Sequence, residues 1–137
     1  MSTLAVGTIK SASGNPPTIQ NSSGTEIGTY CRAWANFQAS NGSLEADFNV
    51  SSISDNGTGD WTVEFTNAMP DVNYAVVANC CHTFNAGNND VSVCSPKPRN
   101  GNSNPLTTAN CRFVGSTHSS GLSSYVDMRL VTMAFFR

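Results

Sequence analysis

Thiols and carboxylates are the side chains whose types and spacing could do chemistry in this 137-residue sequence. The cysteines are Cys31, Cys80, Cys81, Cys94 and Cys111. Cys80, Cys81, Cys94 and Cys111 with His82 offer donors of the kind zinc takes, but no C-x-x-C pair is present, and adjacent residues on a strand point to opposite faces. Small buried thiols are the simplest reading; a Cys94–Cys111 disulfide across a long loop and a zinc site are the alternatives. Five of the nine acids, Glu45, Asp47, Asp55, Asp60 and Glu64, fall within one stretch. If that stretch is a hairpin, Glu45, Asp47 and Glu64 share its polar face and Asp55 and Asp60 flank its turn. Such a set suits an opposed glycosidase pair, a calcium ion, or simply a solvated strand face. Neither His82 nor His118 stands in a nucleophile motif, there is no G-x-S-x-G elbow, and no glycine-rich phosphate loop occurs. The expectation is a protein that is not an enzyme and uses no cofactor.

The elements that must position these groups are strands. Leu44, Ala46, Phe48 and Val50 alternate with polar residues, as do Trp61, Val63 and Phe65. Period two of this kind marks a half-buried strand. The intervening Asp55-Asn56-Gly57-Thr58-Gly59-Asp60 contains Asn-Gly, a strong hairpin signal. The spacing therefore predicts an antiparallel hairpin of Leu44–Val50 with Trp61–Phe65, with Phe48, Val50, Val63 and Phe65 buried. Further strands are expected over Thr3–Ile9, Tyr30–Phe37, Asn73–Phe84, Val91–Cys94, Cys111–Gly115 and Tyr125–Arg137. Turns or loops are expected over Asn85–Asp90, Ser95–Asn110 and Ser116–Ser124. About eight strands at regular spacing with no βαβ pattern indicate an antiparallel β-sandwich, jelly-roll-like, with long loops. Residues 1–29 read as an N-terminal strand and extended arm, and 30–137 as the sandwich domain.

Composition agrees. Ser 18, Thr 13, Asn 16 and Gly 11 together make 58 residues, against only 12% charged residues. These types compete with a helical backbone and favour turns, so a helical bundle is excluded. A formal charge of -2 gives no footprint for nucleic acid. No apolar run is long enough for a membrane helix. The opening MSTLAVGTIK lacks a signal peptide's regions, so the chain is expected to stay intracellular unless carried out by another route.

Two segments carry apolar residues on both faces. In Tyr30–Phe37, Trp34 opposes Cys31, Ala33, Ala35 and Phe37. In the last strand, Val126, Met128 and Leu130 oppose Val131, Met133 and Phe135. A sandwich has one core, and its outward faces normally read polar. Either a bulge near Leu130-Val131 turns both sets inward, or the second set meets another copy. The assembly reading makes Trp34, Met128, Leu130, Met133 and Phe135 the candidate interface of a homotrimer.

The phrases NSSGTEIGTYCRAWANF and FNVSSISDNGTGDWTVEFTNAMPDVNYAVV, which begin at Asn21 and Phe48, resemble a recurrent domain of bacteriophage structural proteins. That domain occurs at the ends of tail-fibre-like proteins, notably in marine and cyanobacterial phages. Its phrase like RAWVNF matches Arg32-Ala33-Trp34-Ala35-Asn36-Phe37, and the likeness covers roughly residues 2–80. The resemblance implies a virion protein assembled in the host cytoplasm, displayed as a homotrimer among other virion proteins, and supplies no catalytic residues. A fibre tip that binds a host surface glycan or protein is the leading expectation. A capsid decoration (cement) protein gripping the shell with its N-terminal arm is the alternative, and a small carbohydrate-active enzyme the third. Receptor contact is expected from exposed loops, with Asn85, Asn88, Asn89, Asp90, Arg99, Asn100 and Asn102 as candidates.

Overall fold

Alternating side chains and helix-averse polar residues produce an all-β chain. The computed structural model describes residues 5–10, 17–82, 91–97, 104–119 and 122–137, and among them there are strands and no helix. The chain divides into two units, Met1–Tyr30 and Cys31–Arg137.

In the first unit, β1 (Ile19–Gln20) and β2 (Glu26–Gly28) form a short antiparallel hairpin. Its turn is set by Asn21, whose side-chain oxygen accepts from the backbone N–H groups of Ser23 and Thr25 at 3.0 and 2.9 Å. The strand expected over Thr3–Ile9 does not form across residues 5–10, and its first two residues lie outside the described ones. The residues that do pair are those flanking the Asn21 turn, which brings two short extended segments within reach of each other.

The second unit is an antiparallel β-sandwich. Its strands in chain order are β3 (Cys31–Gln38), β4 (Ser43–Phe48), β5 (Val50–Gly57), β6 (Asp60–Phe65), β7 (Ala75–Cys81), β8 (Val91–Pro96), β9 (Asn110–Ser119), β10 (Leu122–Tyr125) and β11 (Leu130–Phe136). One sheet has the order β4-β3-β11-β7. The other is five-stranded: β5 pairs with β6, β6 with β9, and both β8 and β10 with β9. Every second residue of a strand enters the space between the sheets. These are Ala33, Ala35 and Phe37 from β3, Trp61, Val63 and Phe65 from β6, Cys111 and Phe113 from β9, and Val131, Met133 and Phe135 from β11. Phe65, Tyr74, Phe113 and Phe135 meet edge to face, with the Phe65 and Phe135 centroids 4.9 Å apart. Trp61 spans the layers: its Nε1 donates to the Ala39 carbonyl at 3.0 Å, satisfying the one polar atom of a buried indole.

The chain changes sheet at two corners, and both revise the sequence expectations. The hairpin exists, but it joins β5 to β6, with Val50 opposite Phe65 and Ile53 opposite Val63. Leu44–Phe48 belongs to the other sheet, paired with β3. The break falls at Asn49, which has φ 58°. A residue in the left-handed region turns the strand sharply, and Asn tolerates that region better than most. The Asn49 amide is also fully used. Its Nδ2 donates to the Arg32 and Asn67 carbonyls at 3.0 and 3.1 Å, and its Oδ1 accepts from the Asn67 backbone N–H at 2.7 Å. Phe48, expected in the core, is instead 53% exposed on the outer face.

The second corner splits the expected final strand. Tyr125 ends β10 in one sheet and Leu130 begins β11 in the other. Between them, Asp127 Oδ1 accepts from the Gly59 N–H at 2.8 Å, and the Val126 N–H donates to the Gly115 carbonyl at 3.2 Å. Gly59 is required there: it has φ 66°, and a Cβ would lie 2.6 Å from the Gly115 oxygen. This corner carries Met128 into the core, while Val131, Met133 and Phe135 reach the core from β11. The Ser/Gly stretch expected as a turn over Ser116–Ser124 instead extends β9 and supplies β10, paired from Ser116–Tyr125 to Ser119–Leu122. Serine-rich strands are tolerated because cross-strand pairing supplies their backbone bonds.

Candidate functional site

Three of the five residues proposed for a trimer interface are interior to a single chain. Met128, Met133 and Phe135 are buried in the sandwich core, because the corner at 126–129 resolves the conflict of faces that made them candidates. Leu130 is partly exposed where β11 begins, and Trp34 is 39% exposed.

Trp34 does not stand alone. On the outer face of the four-stranded sheet, Phe48 lies directly opposite Trp34, Trp34 opposite Ala134, and Ala134 opposite Val77. The result is one apolar row that crosses all four strands in register. Phe48 and Val77 are more than half exposed, at 53% and 57%. Neighbours on the same face include Asn36 and Thr132, one pleat along. The Asn36 Oδ1 is shielded from solvent and has no hydrogen-bond partner among the described residues. Trp34 was legible in sequence as an aromatic on the wrong face. Phe48 and Val77 were not, since alternation assigns residues to two faces without saying which is inner.

The acidic stretch does not assemble as one face. Glu45 and Asp47 are on β4 in one sheet, and Glu64 is on β6 in the other. Glu45 Oε1 accepts from Gln38 Nε2 at 2.6 Å, and Glu64 Oε2 accepts from Asn110 Nδ2 at 3.1 Å. Asp55 Oδ1 accepts from the Gly57 N–H at 2.8 Å, shaping the hairpin turn. Asp60 is buried and takes a two-point contact from Arg112, Nε to Oδ1 at 2.8 Å and Nη2 to Oδ2 at 2.9 Å. Such a fork is the geometry in which a buried carboxylate is best compensated. Asp71 is held below the usual carboxylate range by hydrogen bonds from Arg137, the nearest at 2.7 Å. Hydrogen-bonded partners thus occupy Glu45, Asp55, Asp60 and Glu64 of the set read as a calcium or glycosidase candidate.

All five cysteines are free thiols, so Cys94–Cys111 is not a disulfide here. Among the described residues no group of three or more His, Cys, Asp or Glu is placed to hold a metal ion. Burial pushes the Cys111 and Cys94 thiols up to about 12, and the Tyr74 hydroxyl up as well. The Tyr74 hydroxyl is shared between the Thr107 and Asn110 carbonyls at 3.0 and 3.1 Å. That contact, with Met69 N–H to Thr108 O at 2.7 Å, fastens the end of the long loop expected over Ser95–Asn110. The receptor-contact candidates Asn85, Asn88, Asn89, Asp90, Arg99, Asn100 and Asn102 all lie outside the described residues.

No helix among the described residues is long and apolar enough to cross a membrane. Comparison with known proteins finds no matching family model, no matching curated protein and no matching solved structure.

Proposed function

We propose that the chain is a structural protein of a bacteriophage virion, acting by binding rather than catalysis, at a tail-fibre tip. In this reading it assembles as a homotrimer through the outer face of its four-stranded sheet. The observation that carries the assembly is the Phe48–Trp34–Ala134–Val77 row. Leaving large apolar side chains wet forgoes roughly 1.5–3 kcal/mol each. An exposed apolar patch on a sheet is also an aggregation hazard unless a partner covers it. The phage character rests on the resemblance carried by residues 32–37 and by the longer phrase through the hairpin. Receptor contact is assigned to the segments at 85–90 and 95–110, which the sequence reads as loops.

Sedimentation velocity of the whole chain at micromolar concentration tests the assembly. A trimer that falls to monomer in Trp34→Ser/Phe48→Ser, with circular dichroism unchanged, supports it. A monomeric parent chain overturns it. Capsid decoration is the second reading, favoured by the separate N-terminal unit, which suits an anchoring arm. Copies per particle separate the two: a few at one vertex mean tail, hundreds mean capsid.

A further inference from the structure

The two open sides of the sandwich are closed differently. On one side, β4 runs directly into β5 through the Asn49 corner, so the outer strands of the two sheets are one continuous chain. On the other side, the outer strands are β7 and β8, each paired along one edge only among the described residues. On this side β7 passes to β8 through residues 82–90, a longer connection than the Asn49 corner. Two thiols face the interior there: Cys80 on β7 and Cys94 on β8.

Both side chains point into the sandwich. Cys80 is opposite Val131 on the inward face of its sheet, and Cys94 is opposite Gly115, against which Trp61 and Met128 pack. Both are partly buried against the common core. β7 and β8 lie close to each other along this rim, and each thiol's proton affinity is influenced by the other, the Cys94 thiol favouring the Cys80 anion. Two cysteines from different sheets are therefore neighbours on the inward faces of the adjacent edge strands β7 and β8. A metal does not explain the pairing, since no third ligand joins them among the described residues.

We propose that Cys80 and Cys94 are a latent inter-sheet disulfide that staples the edge strands β7 and β8 together when the protein meets a small disulfide oxidant. The Cys80 thiolate attacks one sulfur of oxidised glutathione and expels one glutathione thiolate, leaving a mixed disulfide on Cys80. The Cys94 thiolate then attacks the Cys80 sulfur, forms the protein S–S bond and expels the second glutathione. The protein pair loses two electrons, the glutathione disulfide gains two, and the two protein protons end on two glutathione thiols. Cys80 is the first nucleophile because the Cys94 S–H stabilises its anion. Burial holds both thiols protonated at neutral pH, which keeps the pair reduced where the oxidant is scarce and makes closure slow. Cys81 is excluded from this bond because it faces the opposite side of β7, where it pairs with Leu130. The inference is independent of the assembly reading.

The test is equilibration of the whole chain in reduced and oxidised glutathione at pH 8.5, followed by unfolding in alkylating reagent and peptide mapping. The expected result is loss of two alkylatable thiols, a linked Cys80–Cys94 peptide pair, and a rise in Tm of roughly 5–12 °C for the short loop closed. Cys81→Ser should retain all three effects, and Cys80→Ser or Cys94→Ser should abolish them. Five alkylatable thiols at equilibrium in oxidised buffer, a bond that uses Cys81, or a linked species with a lower Tm would each overturn the proposal.

Discussion

Phe48 and Phe135 show how little the residue type says about its energetic role. Phe135 is buried at the centre of the aromatic cluster, 4.9 Å from Phe65 and 6.1 Å from Phe113 between centroids. Phe135→Ala is expected to cost ~3–5 kcal/mol in urea unfolding, because transfer and cavity terms add. Phe48→Ala, on the outer face, is expected to stay within about 1 kcal/mol of the parent when monomers are compared. Equal losses at the two positions would contradict the assignment of faces. Cys111 makes a second prediction, on pH. Its thiol is pushed from 9.0 to about 12 by burial. The folded-state value is raised above the unfolded one, so the contribution is whole below pH 9 and is lost as pH climbs toward 12. Over that window the unfolded chain has released a proton that the native chain keeps, and stability should fall by about 1.4 kcal/mol per pH unit from this group. Cys111→Ala should shallow the alkaline limb by about one proton in urea melts between pH 9 and 11. Identical limbs would remove the burial argument.

Among the elements, the two corners are where the fold is decided. Asn49→Ala would place a Cβ-bearing side chain with no amide at φ 58° and abandon the bonds to Arg32 and Asn67. The expected cost is about 1–3 kcal/mol, summed from a left-handed alanine and lost hydrogen bonds at a half-buried corner. Asn49→Gly restores the backbone freedom alone and should lose clearly less, a ranking that chemical denaturation can read directly. The same corner explains what the sequence leaves illegible. Leu44, Ala46, Phe48 and Val50 alternate without interruption, because one left-handed residue changes the strand's direction and sheet without disturbing its period. The hairpin turn, with Gly57 and Gly59 both at positive φ, was legible because Asn-Gly and Gly are needed for its geometry. Which strand leads into that turn was not, because Ser51–Asp55 looks like loop and forms strand only through β6. The two apolar sets of Val126–Phe135 were legible as a conflict. Its solution, a crossing between sheets at 126–129, depends on Gly59 and Gly115, which are remote in sequence.

At the scale of the molecule, Cys31–Arg137 contains the whole of the described core. Residues 31–137 expressed alone should therefore unfold in one cooperative step, with the sandwich midpoint of the full chain; circular dichroism melts of both check it. A midpoint lower by more than about 5 °C would mean that the first thirty residues hold the sandwich together. The position of β11 has a different kind of consequence, for biosynthesis. It is an inner strand, flanked by β3 and β7, and Val131 pairs with Phe37 from the far end of the unit. A ribosome adding about 5–20 residues each second needs on the order of ten seconds to go from one to the other. Throughout that interval β3 and β7 have no common neighbour, and the inward faces carrying Ala35 and Phe37 lack their lid. Closure of this sheet thus waits on the synthesis of β11, and the vacant lane between β3 and β7 is open to the β11 of an adjacent polypeptide on the same message. Strand exchange between copies competes with self-closure wherever many are made at once.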